Sequence, residues 1–371
     1  MKNHKFNTRS KLNSGKNNSE DEDDDIKHKK NKKQKKNESG SEPSSPTIDP
    51  REIFNINDYN IQTLNDLIQL IHDLMNKMPP PKSERRKLPK KIYRLKNTLD
   101  DLIELNNMVG LTKLKQQIID QLLYFIQDHH ECVMLHTVIE GPPGTGKTTV
   151  ARLMASIYSN VGIFKTSKFN IVKRDDLVGQ YLGETTIKTM DTLERCKNGV
   201  MLIDEAYALG SIDNRDFFAK EAVDAINQYL TDNVDKIVCI IAGYKKELND
   251  CFFSQNKGLR RRFPWTFTID NFTQNELAQI FWNMIEWHEY YELDKDIDMN
   301  FIRNQIDIKY FIGNAGDLDN IFSRIRIINN RRNFGREDNF IIKKDVLEES
   351  FKSFYDLRKE YTSSIPSMMY T

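Results

Sequence analysis

Gly141-Pro142-Pro143-Gly144-Thr145-Gly146-Lys147-Thr148 is preceded by the apolar run Thr137–Ile139 and followed by the amphipathic stretch Thr149–Tyr158. The octapeptide fits G-x-x-x-x-G-K-[S/T], with a strand pattern before it and a helix pattern after it. Phosphate oxygens need several backbone N–H groups at close range, and glycines let the chain turn tightly enough to present them. A helix beginning near Lys147 adds the positive end of its dipole. Lys147 is the candidate for the β- and γ-phosphates and Thr148 for Mg²⁺. The alternative, a glycine-rich turn with an incidental lysine, would not require strand–loop–helix surroundings. The candidate phosphate-contacting set is Gly141, Pro142, Pro143, Gly144, Thr145, Gly146, Lys147, Thr148 and Thr149.

Downstream, Gly199-Val200-Met201-Leu202-Ile203-Asp204-Glu205-Ala206 is an apolar strand ending in two carboxylates. Ligands of open α/β sheets sit at the carboxyl ends of strands. There Asp204 can hold the Mg²⁺ shell and Glu205 can polarise an attacking water. Alone, such a pair reads equally as solvated loop acids. After a phosphate loop, with one further strand between, it points to nucleotide binding and hydrolysis.

The strand candidates are His136–Glu140, Phe169–Lys173, Val200–Asp204, Lys236–Ala242 and Thr266–Asp270, and helical patterns separate most of them. That alternation predicts an α/β domain with a parallel sheet. After 270 the strands stop. Thr273-Gln274-Asn275-Glu276 reads as a capping box, and the stripe Leu318, Ile321, Phe322, Ile325, Ile328 predicts a small all-helical domain.

The chain has 371 residues and a net charge of +1, which excludes a simple polybasic nucleic-acid coat and a purely acidic solvating chain. Residues 1–50 hold only Met1, Phe6, Leu12, Ile26 and Ile48 from the apolar set, so a disordered charged tail is expected. Its basic run Lys27–Lys36 reads as a nuclear localisation signal or as a solvated tail. Ile61 to Met78 has helical spacing and Pro79-Pro80-Pro81 ends it. The basic stretch 82–96 reads as a charged linker, or as a contact for phosphate backbones. The organisation is therefore a tail 1–50, a helical segment and basic linker 51–98, an α/β nucleotide-binding domain 99–270, a helical domain 271–356 and a tail 357–371. No run suits a bilayer span or a secretory signal, and the four cysteines form no CxxC pair, so an intracellular protein, cytoplasmic by default, is expected. His129-His130 reads as a surface pair and the cysteines as incidental or core residues. Phe281, Trp282, Trp287, Tyr290 and Tyr291 read as packing within the helical domain.

Taken together these motifs resemble the AAA+ ATPases, and more closely the CbxX/CfxQ family, which includes the activases of red-type Rubisco. The residues that carry the resemblance are the phosphate loop, Asp176 to Gly183, Gly199 to Tyr207, Ile241 to Tyr244 and Gly258 to Phe263, within about residues 100–330. The resemblance implies an α/β P-loop NTPase (AAA+) followed by a helical lid. It further implies ATP and Mg²⁺ as ligands and a homo-oligomeric ring of six with ATP bound between neighbours. Tyr181-Leu182-Gly183 matches a pore loop that grips a polypeptide; by itself the tyrosine could equally be a core residue capping a turn. Arg262, and second Arg260, match an arginine supplied to a neighbour's site; by themselves they are a solvated basic cluster. Val109 and Gly110, within Met108-Val109-Gly110-Leu111, match the segment that packs on adenine.

The chain also departs from the pattern. The fourth strand ends Ala242-Gly243-Tyr244, without the Asn or Thr of the wider group. Gly316 stands where many relatives carry an arginine that senses the γ-phosphate, and Arg324 or Arg326 could reach in from later turns. The reading is an ATP-hydrolysing remodeller that pulls a protein client through a pore. The alternatives are a nucleic-acid-associated machine and a nucleotide-gated scaffold with weak turnover.

Overall fold

The computed structural model describes residues 59–76, 92, 94–127, 134–164, 168–181, 183–211, 215–335 and 340–364. The tail 1–50 with its Lys27–Lys36 run, Pro79–Pro81, residues 82–91, His129-His130, Cys132 and Leu182 lie outside them. Five parallel strands, β1 (Thr137–Glu140), β2 (Phe169–Val172), β3 (Gly199–Ile203), β4 (Ile237–Gly243) and β5 (Trp265–Thr268), form a sheet in the order β2-β3-β4-β1-β5. These are the five expected strands, each within two residues of its anticipated ends. β1, β3 and β4 are buried along their whole length, which is why they read as unbroken apolar runs rather than alternating ones. The register pairs Thr137 with Ile240 and Trp265, and Glu140 with Gly243 and Thr268. The loop after β1 and the carboxylates after β3 therefore leave the sheet at the same end, on either side of the end of β4.

Helices cover both faces. On one lie α1 (Leu64–Asn76), α2 (Leu99–Asn107), α3 (Thr112–Ile126) and α4 (Lys147–Val161). Leu67, Leu70, Ile71 and Leu74 of α1 are buried in one apolar core with Leu102, Leu114, Val150 and Ile240. Each such side chain contributes about 1.5–3 kcal/mol on burial. The segment before residue 99 is thus partly built into the sheet domain. A turn at Leu95–Thr98 leads directly into α2, and Arg94 Nη1 reaches the Gly162 carbonyl at 3.4 Å. The end of the basic stretch is therefore packed, not a linker, because Leu95 supplies an apolar anchor among the charges. The other face carries α5 (Glu184–Cys196) and α6 (Phe217–Asp232), whose Leu193, Val223 and Ile226 pack with Met201, Cys239 and Ile241.

The C-terminal region holds α7 (Gln274–Glu286), α8 (Met299–Gln305), α9 (Ala315–Arg332) and α10 (Lys344–Ser364) around Phe281, Leu318, Ile321, Ile325 and Phe351. The Thr273–Glu276 capping box forms at the start of α7. The region is helical as expected, with one addition: β6 (Glu292–Leu293) and β7 (Ile341–Ile342) make a two-residue parallel pair. Helix α10 continues across position 357, where a tail was expected. Buried Phe351 and Phe354 and the ion pair from Arg358 to buried Asp317 hold it. Phe281 and Tyr291 are buried as anticipated, whereas Trp287 and Tyr290 are 70% and 57% exposed. Among the described residues no helix is long and apolar enough to cross a membrane.

Candidate nucleotide site

The phosphate loop is pinned from both sides by the sheet. The Gly141 N–H donates to the Gly243 carbonyl at 3.1 Å, and the Ile269 N–H to the Glu140 carbonyl at 2.8 Å. Within it, Thr145 Oγ1 donates to the Pro142 carbonyl at 2.9 Å and is buried. Gly144 sits at φ +66°, where an L side chain is strained. A Cβ there would also stand 2.0 Å from the Gly313 carbonyl. Helix α4 starts at Lys147, so its first N–H groups and dipole face the loop. Lys147 Nζ donates to the Gly141 and Pro142 carbonyls at 3.0 and 2.7 Å. It therefore rests against its own loop and must turn from those carbonyls to meet a phosphate. Burial holds its ammonium below the usual lysine range, with Asp204 and Glu205 opposing the shift.

Thr148 Oγ1 donates to Asp204 Oδ2 at 3.0 Å, and Asp204 Oδ1 accepts from the Glu205 N–H at 3.1 Å. Glu205 takes a left-handed conformation, φ 52°, at the end of β3 and is exposed to the pocket. A hydroxyl beside one carboxylate is the small hard-oxygen set that suits Mg²⁺, which keeps waters and phosphate oxygens as its other ligands. Two tyrosines complete the wall. Tyr207 and Tyr244 stack with ring centroids 5.4 Å apart, and Lys147 Nζ lies 5.1 Å from the Tyr244 centroid. Burial, and then the charge of Glu205, push the Tyr207 hydroxyl up to about 12. Tyr244 thus borders the phosphate pocket through its ring face.

Beside the phosphate loop opens an apolar cleft of about 450 Å³, walled by Met108, Val109, Phe272, Met284, Trp287 and Gly316, among others. It suits a planar base. Val109 lines it, whereas Gly110 stands behind it, where an added Cβ would meet Glu276 Oε1 at 2.3 Å. Trp287 was read as packing within the helical domain; it instead faces this cleft, because α7 ends there and leaves the ring outside the domain core. Gly316 has open space around it. Neither later arginine takes its place. Arg324 Nη1 donates to Ser353 Oγ at 3.0 Å on α10, and Arg326 is exposed. Both stand more than two turns along α9 from Ala315, about 13 Å or more at 1.5 Å per residue, too far up the helix to take the place of Gly316. What meets the loop is Asn314, whose Nδ2 donates to the Pro143 carbonyl at 3.1 Å, with the Ala315 N–H donating to the Gly144 carbonyl at 3.2 Å.

The remaining candidates lie elsewhere. Arg260, Arg261 and Arg262 precede β5, whose first residue Trp265 pairs with Thr137, so they sit at the end of the sheet opposite the phosphate loop. The Arg260 guanidinium lies 4.5 Å from the Phe253 ring centroid, and Arg262 Nε donates to Thr231 Oγ1 at 2.7 Å. Tyr181 is 69% exposed, which removes the core alternative for it. The Glu184 carboxylate accepts the Gln180 and Tyr181 N–H groups ahead of α5. Gly183 caps α5 in a left-handed conformation. Cys196 and Cys239 are buried free thiols, and burial pushes Cys196 up to about 11. Among the described residues no cluster of three His, Cys, Asp or Glu could hold a metal by itself.

Residues 137–264 match the ATPase family associated with various cellular activities (AAA). A cfxQ-like protein of Acanthamoeba polyphaga mimivirus is 33% identical over 330 residues, covering 86% of this chain and 78% of that protein. A CfxQ homolog of Galdieria sulphuraria is also 33% identical, over 69% of this chain and 85% of its own length. The chloroplastic ribulose bisphosphate carboxylase/oxygenase activase of Cyanidioschyzon merolae is 33% identical over 68% and 89%. Similarity sustained along most of both chains, on a sheet whose loop and strand ends are arranged for a nucleotide, makes this protein a member of the CbxX/CfxQ family of AAA+ ATPases.

Proposed function

We propose that the protein hydrolyses ATP and uses the cycle, as a homo-oligomeric ring, to remodel a protein client. The observation that carries the hydrolysis is the contact of Thr148 with Asp204 at 3.0 Å, with Glu205 adjoining and Lys147 at the loop's mouth. Thr148 and Asp204 would hold Mg²⁺, whose chemistry when bound is to neutralise charge on the phosphate oxygens. Lys147 binds the phosphates once it leaves the Gly141 and Pro142 carbonyls. Glu205 orients a water and draws off its proton as the water attacks the γ-phosphorus and the bond from that phosphorus to the bridging oxygen breaks, releasing ADP. Val109, Met108 and Trp287 shelter the base.

The position of the arginines supports assembly. Arg262 and Arg260 lie across the sheet from their own phosphate loop, so any phosphate they contact belongs to the site of another copy. A guanidinium delivered that way accounts for about 10³–10⁵ in rate in comparable phosphoryl transfers. The exposed Tyr181, on a loop flanked by Gly179 and Gly183, supports contact with a client, and a relative named as an activase of an enzyme supports a protein client. The test is steady-state ATPase rate against protein concentration, with Glu205→Gln as control. A specific rate that climbs with concentration and vanishes in the variant is expected. Tight ATP binding with a variant-like rate at every concentration would overturn hydrolysis by this site.

A further inference from the structure

Asn314 joins three segments through one side chain. Its Nδ2 donates to the Pro143 carbonyl of the phosphate loop at 3.1 Å and to Asn271 Oδ1 at 3.0 Å. Its Oδ1 accepts the Phe272 N–H at 3.1 Å. Asn271 and Phe272 belong to the connection between β5 and α7, and Asn314 itself caps α9. The residue is 1% exposed and is held at φ 48°, ψ −126°, a conformation an L residue adopts only when its surroundings impose it. Next to it the Ala315 N–H donates to the Gly144 carbonyl at 3.2 Å.

The direction of these bonds matters. In a trans peptide the C=O and N–H point to opposite sides. The Pro143–Gly144 and Gly144–Thr145 peptides give their carbonyls to the lid, so their N–H groups point away from it. Phosphate loops bind through N–H groups. One pair of peptides therefore faces the nucleotide on one side and the lid on the other. Gly316 presents no side chain to the site, Arg324 is engaged with Ser353, and both Arg324 and Arg326 stand about 13 Å or more along α9 from Ala315.

We propose that Asn314 is the positioning residue through which occupancy of the phosphate loop sets the lid, by way of the Pro143 and Gly144 carbonyls. This rests on the reading of the loop as a nucleotide site. Reorientation of either peptide by a phosphate alters the bonds to Asn314 Nδ2 and the Ala315 N–H. It thereby shifts the 271–273 connection and the start of α9 together.

The test is amide hydrogen exchange of the full chain, with and without ADP, followed by mass spectrometry over segments 270–274 and 313–318. ADP binding is measured separately with a fluorescent ADP analogue. In the wild type, exchange in both segments is expected to change at least about fivefold on binding, the lower end of ordinary coupling. Asn314→Gly accepts the same backbone angles and removes all three side-chain bonds. It is expected to bind the analogue within about threefold of wild type while losing the exchange response, a split that a loss of fold would not produce. Asn314→Asp keeps the acceptor for Phe272 but sets a carboxylate oxygen against the Pro143 carbonyl; it should lose the response as well. A wild-type chain that binds ADP with unchanged exchange, or an Asn314→Gly chain that binds and responds like wild type, overturns the coupling alone. A wild-type chain that binds no ADP overturns the nucleotide reading together with it.

Discussion

Thr148 Oγ1 and Asp204 Oδ2 stand 3.0 Å apart, although 56 residues separate them in the chain. The first lies in the opening turn of helix α4 after β1 and the second directly follows β3, two strands that flank β4 in the sheet. Their meeting converts two short motifs into one candidate Mg²⁺–phosphate site. Removing either oxygen should separate nucleotide binding from turnover. Thr148→Val and Asp204→Asn are expected to cut Mg²⁺-dependent ATP hydrolysis at least about 100-fold, while ADP binding in EDTA persists, since the loop N–H groups and Lys147 remain. Rates and binding isotherms for each variant check this; hydrolysis within threefold of wild type in both would remove the pair from the site.

The opposed positions of Glu205 and Arg262 on the sheet allow a complementation test. Glu205→Gln chains carry an intact Arg262, and Arg262→Ala chains carry an intact Glu205. Each alone should hydrolyse ATP at least about 100-fold more slowly than wild type. Mixed at equal concentration they should recover a measurable fraction, because some sites combine a good glutamate with a neighbour's arginine. Recovery with Arg260→Ala in place of Arg262→Ala, and none with Arg262→Ala, would assign the role to Arg260.

Gly144 and Gly316 should respond oppositely to the same methyl group. At Gly144 an alanine meets the Gly313 carbonyl and a positive φ. Gly144→Ala is expected to destabilise the protein by about 2 kcal/mol or more and to displace the start of α9. At Gly316, in the first turn of α9, nothing lies within 4 Å of the added carbon. Gly316→Ala should raise stability by about 0.5–1 kcal/mol through reduced freedom of the unfolded chain. Denaturant titrations of the two variants read both signs, and equal shifts would contradict the packing described.

His136 supplies a pH dependence. It is buried at the start of β1, and its Nδ1 accepts the Cys239 N–H at 3.1 Å. Burial pushes its pKa down to about 4 from an ordinary 6.5. The folded state thus prefers the neutral ring. Its contribution is fully present above pH 6.5 and is lost as the pH falls through 4. That gap corresponds to about 3 kcal/mol. Urea titrations between pH 7 and pH 4 should therefore show a steeper loss for wild type than for His136→Asn, whose amide oxygen can still accept from Cys239. Parallel curves would exclude His136 as the source.

The phosphate loop, the five strands and the α7 capping box were legible because each is written in contiguous residues under strong local rules. Glycine spacing, unbroken apolar runs and cap chemistry need no knowledge of distant chain. The short β6–β7 pair was not legible, since two residues carry no period and Ile342 is buried by contacts across the lid. Trp287 read as lid packing because it lies in a run of aromatic residues of which Phe281 and Tyr291 are buried; only the end of α7 at Glu286 sets its ring in the cleft.

Residue order is enough to give the fold class and the chemistry available at the two strand ends, because local residue types set backbone direction and the kind of groups a strand or turn can present. Tertiary structure alone decided which groups meet. Asn314 reaches Pro143 across 171 residues, while Arg324 is held by Ser353 of α10 and stands, with Arg326, too far along α9 to meet the loop. Side-chain direction on a helix follows from which stripe the core buries, and that is settled only when all the packed elements are in place.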